Sequence, residues 1–387
     1  MNNEPLARTF REELEAFFGG SRCFLLAKGR VACYVGLRAL GLPPKSRILL
    51  PGYTCMVVPS AVQYAGLTPV YADIDPATYN LDPAGLDQPI AEGVAAVVIQ
   101  HTYGIPCDFA AIQRWAGAHD VPIIEDCCHT FGTRVEGRLC GTLGVFSFMS
   151  GQWNKPFCTG LGGMLLVNDP AIADSAAEVI HREAASPGAL RSLLLRAQLT
   201  AYDLFFSPST AGIATDLYRF LNRFGLVIGS SSLEELRGVM PRGYLSTMAR
   251  CQIRRGLRAI VHIAENIDHR TRMTQFYHAR LPAAGFLPLA HMPVEGYPLL
   301  RYPVRVANKE EVLAAARRGR VEIGDWFEAP LHPAGTRMED FGYRPGMCPH
   351  AERASREVIN LPTHLKVDLS TAEKTLQFLA RHGRCVE

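Results

Sequence analysis

The sequence predicts an α/β protein with a large domain on a mostly parallel sheet covered on both faces, followed by a smaller α+β C-terminal domain. Three observations carry that expectation. The runs RILLP (47–51), PVYADID (69–75), AAVVIQHTYG (95–104) and VPIIEDCC (121–128) are apolar throughout rather than alternating, as strands buried on both faces are. Segments of helical spacing separate them, VVPSAVQYAG (57–66) and FAAIQRWAGAHD (109–120). Polar residues then gather directly after the strands: Tyr53-Thr54, Asp73 and Asp75, His101, Asp126 and His129, Ser150 and Lys155. Sheets of this kind bind ligands at the carboxyl ends of their strands, so these residues are expected to converge on one edge.

The elements follow in order. Residues 1–20 have the pattern of a short amphipathic helix stopped at Gly19-Gly20. FLLAKGRVACYVGLRALGL reads as an apolar segment that turns at Lys28-Gly29-Arg30 into a helix through Leu40. GVFSFM and GGMLLV flank a glycine-rich turn that carries Lys155. Residues 189–229 change character, with leucines and aromatics at helical spacing broken by Ser207-Pro208-Ser209. They read as a helix pair that covers the core or a subunit interface, a membrane-surface or lid role being the alternative. One long basic helix is expected over 248–281, then a strand in LLRYPVRVA, a helix in EEVLAAARRGR and a strand in VEIGDWF. The expected division is a large domain over 1–245, with an apolar helical insert at about 180–235, and a small one over 246–387.

Composition narrows the class. The chain of 387 residues is 48% hydrophobic and 20% charged, which suits a globular protein with a substantial core. A net charge of +3 points neither to a nucleic-acid binder nor to an acidic tail. The eleven cysteines read as reduced thiols of a cytoplasmic protein, since the start of the chain is not of signal-peptide type. No uncharged run reaches the length of a membrane span, and Arg196 closes the leucine cluster at 193–195.

Several residues are candidates for chemistry. Lys155 lies among Phe148, Trp153, Phe157 and glycines, and a desolvated lysine amine is a nucleophile that forms Schiff bases. Alone, it reads as readily as a surface-loop lysine. Asp126 ends a buried strand and needs a cationic or donor partner, for which a pyridinium N–H is one choice and the cap of the following turn another. Gly29 opens a helix whose free N–H groups bind a phosphate or simply form a turn, and Arg30 either touches that phosphate or pairs on the surface. Cys127, Cys128, His129 and Cys107 lack the spacing of a zinc site, so no metal is expected.

Together these pieces resemble the pyridoxal-phosphate-dependent aminotransferases of the DegT/StrS sugar-aminotransferase group, within the fold-type-I superfamily. AKGRVACYVGLRALGL, ILLPGYTCMVVPSAVQYAGLTPVYADID, VVIQHTYGIPCD, IIEDCCHTFGT, SFMSGQWNKPFCTGLGGMLL and MPRGYLSTMARCQI come in the family's order, and APLHP follows. The resemblance covers the chain outside about 180–235. It implies a seven-stranded sheet, pyridoxal 5'-phosphate as cofactor, a homodimer, and transfer of an amino group from glutamate to a keto group of a nucleotide-linked sugar. Lys155 matches the lysine that forms the Schiff base and moves the proton. Asp126 matches the partner of the pyridine nitrogen, and His129 the residue near the 3-hydroxyl. Ser150 with Gly29, Arg30 and Val31 matches the phosphate-binding set. Three positions depart from the family. Cys55 stands where an aromatic residue often stacks on the ring, leaving Tyr53 to cover it. Leu245 replaces an asparagine that reaches the neighbouring subunit's phosphate. Lys28-Gly29-Arg30 replaces Ser-Gly-Thr. A non-sugar or lipid-linked carbonyl substrate, or a cofactor-binding regulator without turnover, are the other functions compatible with these residues.

Overall fold

The structure, a computed structural model, describes residues 4–87, 93–153, 155–205, 217, 220–221, 227–229, 231–293 and 295–386. Helix α1 (Glu4–Phe17) buries Phe10 and Leu14 and is followed by strand β1 (Arg22–Leu26) and helix α2 (Gly29–Ala39). Then come β2 (Arg47–Pro51), β3 (Thr54–Cys55), α3 (Val57–Tyr64), β4 (Thr68–Ala72), β5 (Val94–Gln100), α4 (Phe109–Ala118) and β6 (Ile123–Asp126). A small hairpin of β7 (Arg134–Val135) and β8 (Arg138–Leu139) precedes the long hairpin of β9 (Phe146–Gln152) and β10 (Leu161–Val167).

One seven-stranded sheet runs β1-β10-β9-β6-β5-β2-β4. It is parallel from β9 to β4, and β10 is antiparallel to both of its neighbours. The apolar runs that predicted strands are these strands: β10 is buried at every position, and β5 at all but one. β1, β6 and β9 therefore end on the same edge, and their carboxyl ends carry Ala27-Lys28, Asp126 and Ser150. Helix α2 crosses the face beneath, with Val31, Ala32 and Val35 in the main core beside Phe146 and Leu165.

Beyond the sheet lie α5 (Pro170–Glu183), α6 (Ala189–Phe205), α7 (Leu233–Leu236), α8 (Arg250–Val261) and α9 (Ile263–Arg280). The C-terminal part adds β11 (Arg301–Arg305), α10 (Lys309–Gly319), β12 (Leu331–His332), α11 (Pro349–Glu357), β13 (Val358–Pro362) and α12 (Leu369–His382). β12 pairs with β3 in parallel, so the last hundred residues are stitched to the edge where the strands end. Most of the second half of the 189–229 stretch, including the break at 207–209, lies outside the described residues.

Three expectations need correction. The basic helix over 248–281 is two helices that part at His262, because α8 packs against α1 while α9 packs against α12. VEIGDWF is not a strand. It meets β13 only at Gly324, and the side-chain Oδ1 of Asn360 takes the Trp326 N–H (2.9 Å) that a ladder would use. β13 gives its length to β11 instead. The strand-end residues also converge only in part. Asp73 accepts from the N–H groups of His350 and Ala351 (2.8 and 2.9 Å) at the start of α11, and Asp75 closes its own turn. His101 is an internal strut whose Nε2 lies 3.2 Å from buried Glu125.

Candidate active site

The β9–β10 hairpin explains the position of Lys155. Antiparallel pairing holds Gln152 opposite Leu161, and the backbone N–H of Lys155 donates to Gln152 (2.9 Å) at the turn. The amine Nζ lies 4.6 Å from the centre of the Trp326 ring. Burial lowers the Lys155 pKa; Cys128, Asp126 and Cys55 act against that shift and Arg301 adds to it. A fraction of neutral amine larger than that of an ordinary lysine follows, which is the nucleophilic form.

Asp126 is buried at the end of β6 and accepts from the Cys128 N–H (2.9 Å). Burial raises its pKa, while that N–H and the charge of Lys155 pull it down. A cationic partner therefore favours the ionised form of this carboxyl. His129 is buried as well. Its Nδ1 accepts from the Tyr103 N–H (3.2 Å), which leaves the proton on Nε2 as a donor. Desolvation, helped by Lys155, His332 and Arg301, holds the ring well below the usual histidine range, so it is neutral. Trp326 stacks on this ring at 5.5 Å and 16°. Cys33, Cys55 and Cys128, which lie near Asp126, are kept as thiols by burial.

The start of α2 forms the third part. Its N-cap, Lys28, makes no side-chain cap, and the first-turn N–H groups of Gly29 and Arg30 have no intrahelical acceptor. Gly29 must be glycine, because a Cβ there would meet the Ser150 Cβ at 2.9 Å. Gly163 on β10 is under the same demand, since its Cβ would fall 2.1 Å from the Lys28 carbonyl. Bare helix N–H groups beside a serine hydroxyl make an anion cradle. Val31 is buried beneath it, and its backbone N–H donates to the Lys28 carbonyl (3.1 Å).

The structure thus brings Lys155, Asp126 and His129 together and sets Gly29 against Ser150. Two candidates sit differently from a simple ligand shell. The Arg30 guanidinium donates to Glu235 (2.5 Å) and to Ser231 (3.0 Å), and its side chain is 7% exposed. Tyr53 is fully buried, its hydroxyl shared with Tyr103 (2.8 Å) and with the Phe327 N–H (3.2 Å). The aromatic surface beside Lys155 belongs to Trp326, with the Arg301 guanidinium 5.2 Å from its ring centre. Sequence reasoning missed Trp326, Arg301 and Glu235. Only Glu235 left a signal, the Ser-x-x-Glu capping box of Ser232 with Glu235. Leu245 points into the core.

From Lys155 a cleft of about 400 Å³ opens between the hairpin, α6, α8 and the C-terminal part. Arg255, Arg258, Arg301 and Lys366 line it, with Tyr202 and Asp203 on the α6 wall. His101, Glu125 and Cys127 form a buried cluster of metal-ligand type. Hydrogen bonding explains it: Glu125 accepts the N–H groups of Gly141, Leu143 and Gly144 (2.8, 2.7 and 3.0 Å).

The fold is the fold-type-I architecture of pyridoxal-phosphate-dependent transferases. The chain belongs to the DegT/DnrJ/EryC1/StrS aminotransferase family, whose profile matches residues 1–198 and 208–379 and so continues through much of the 180–235 stretch. It is 34% identical over 149 residues to GDP-perosamine synthase of Escherichia coli O157:H7, covering 38% of this chain and 41% of that one. It is 25% identical over 335 residues to a pleiotropic regulatory protein of Geobacillus stearothermophilus, covering 86% and 77%. The solved structure of a putative sugar aminotransferase from Streptococcus pneumoniae, in its PMP form, superposes with a TM-score of 0.75 at 18% identity, over 97% and 91% of the chains. The chain spans under half the length of several curated relatives it matches, 41% and 49% for two of them.

Proposed function

We propose that this protein is a pyridoxal-phosphate-dependent aminotransferase that moves an amino group, with glutamate as donor, to a keto group on a nucleotide-linked sugar. The observation that carries the reading is one edge of the sheet that offers a partly neutral Lys155 amine, buried Asp126 and the bare N-terminus of α2 beside Ser150. Pyridoxal phosphate fits that edge, where the glycines at 29 and 163 let the start of α2 pack closely against Ser150 and β10. When bound, the cofactor supplies an aldehyde that condenses with amines and a ring that draws electrons from the bond to be broken.

The chain's own residues have separate tasks. Lys155 would hold the cofactor through its amine and, when free, would carry a proton on Nζ. Asp126 would hold a positive charge on the cofactor ring. His129 would offer its Nε2 proton to the cofactor. Gly29 and Arg30 present their first-turn N–H groups to the phosphate with Ser150, while the Val31 N–H is held by the Lys28 carbonyl (3.1 Å). The cationic cleft suits an acceptor that carries phosphates, and the sugar-directed relatives support that substrate class. Subunit pairing as a homodimer belongs to the same proposal.

Purified protein should carry a visible chromophore, and borohydride should fix it on Lys155. Lys155→Ala should lose both the fixation and all turnover. A colourless wild type with no fixed cofactor overturns the proposal. The long match to the regulatory protein favours a second reading, a cofactor-binding regulator without turnover. Glutamate bleaches the chromophore under the first reading and leaves it under the second. Half-reaction spectra with keto-sugars against other carbonyl compounds, lipid-linked ones included, decide the acceptor.

A further inference from the structure

We propose that the outer face of α6 docks on an anionic membrane surface. This helix is apolar on two sides. Leu195 and Leu199 are buried against the body of the protein, and Cys251 and Arg255 of α8 lie alongside, touching Ser192 and Asp203. The opposite side carries Leu190, Leu193, Ala197, Ala201 and Leu204, spaced by three, four, four and three residues, which is one continuous stripe along a helix. All five are exposed, Leu190 and Leu204 at 71% and Leu193 at 63%. Of the thirteen large apolar side chains exposed among the described residues, four lie on this helix. Such a face does not stay in water without an occupant.

Charge selects the occupant. Arg191 and Arg196 are the only charged residues from 189 to 202, and at helical spacing they fall on either side of the stripe. The nearest acid along the helix, Asp203, is exposed but already paired with Arg255 at 2.7 Å. A second copy of the same face would set arginine against arginine with no acid to answer them. Anionic headgroups supply the missing charge, and leucines between flanking arginines are the pattern of a helix that lies in the interface. No helix among the described residues is long and apolar enough to cross a membrane, so the contact is a lateral one. Tyr202 and Asp203 of this same helix line the cleft, so docking would bring the mouth of the cleft beside the headgroups.

The test is flotation of the full chain with vesicles, which does not depend on the proposed catalytic activity. Wild type should float with phosphatidylglycerol–phosphatidylcholine vesicles and lose binding as salt rises. A Leu193→Glu/Leu204→Glu variant should lose the bound fraction by more than about ten-fold, with circular dichroism and sedimentation mass unchanged. Arg191→Gln/Arg196→Gln should weaken binding by about five-fold per arginine while keeping the apolar face. Wild type that stays with the soluble fraction overturns the proposal, as does a glutamate variant that still floats. A glutamate variant that splits a dimer, with no vesicle binding by the wild type, shows the face to be an interface between copies and overturns it too.

Discussion

Gly163 shows how much of the site depends on an atom that is missing. A methyl there would sit 2.1 Å from the carbonyl of Lys28 and 2.5 Å from the Gly29 nitrogen, and both obstacles are backbone that cannot turn aside. Gly163→Ala should therefore cost about 3 kcal/mol or more, read as a lower denaturant midpoint, and should displace the start of α2 from Ser150. Gly117, exposed inside α4 with nothing near its Cβ position, is the control. Gly117→Ala should gain up to about 1 kcal/mol from helix propensity. Equal losses at both positions would show that crowding at the cradle is not the cause. The sequence run TGLGG was legible as a glycine-rich turn, but not what packs against it. The partner is the β1–α2 turn, which is well over a hundred residues earlier and is brought near only by the pairing of β1 with β10.

At the scale of an element, the start of α2 balances two cations against one carboxylate. Arg30 takes Glu235 at 2.5 Å, while Lys28 lies 3.8 Å from the same group. The pairing with Lys28 is the weaker one. Burial and the neighbouring Arg30 push the Lys28 pKa down to about 7 against an ordinary 10.5, and the pull of Glu235 does not restore it. Below about pH 7 the folded chain must hold this proton at a cost; between about 7 and 10.5 the folded chain has released it and the unfolded chain has not. That group's contribution to stability therefore rises as pH climbs from 7 towards 10.5. Lys28→Met removes the cost, so the rise in Tm of the variant over wild type should be large near about pH 6 and shrink near about pH 9. A difference that does not change with pH sinks the argument. The strand runs and α2 itself were legible because buried strands are apolar at every position and the Gly29 turn is local. The Glu235 contact was not, for it joins α2 to a capping box some two hundred residues on.

On the scale of the whole molecule, the site is finished by the C-terminal part. The sheet edge brings Lys155, Asp126, His129 and Ser150, all legible from strand-end logic because each lies just past a recognisable apolar run. Trp326 and Arg301 come from beyond residue 300. VEIGDWF reads locally as a strand because its apolar residues alternate, yet β13 is already occupied by β11, and the segment instead lays its indole over Lys155. That placement has a measurable consequence. The indole excludes water from the amine, which lowers its pKa, and offers its face to the charged form, which raises it. Burial is the leading cause of the depressed Lys155 pKa, and the indole is part of what buries the amine. Trp326→Ala should then raise the Lys155 pKa towards the ordinary lysine range, seen as a later rise in the pH profile of amine labelling at that residue. Trp326→Phe, which keeps a ring, should move it less. A fall in the alanine variant would mean that the ring face, rather than the exclusion of water, sets the state of the amine.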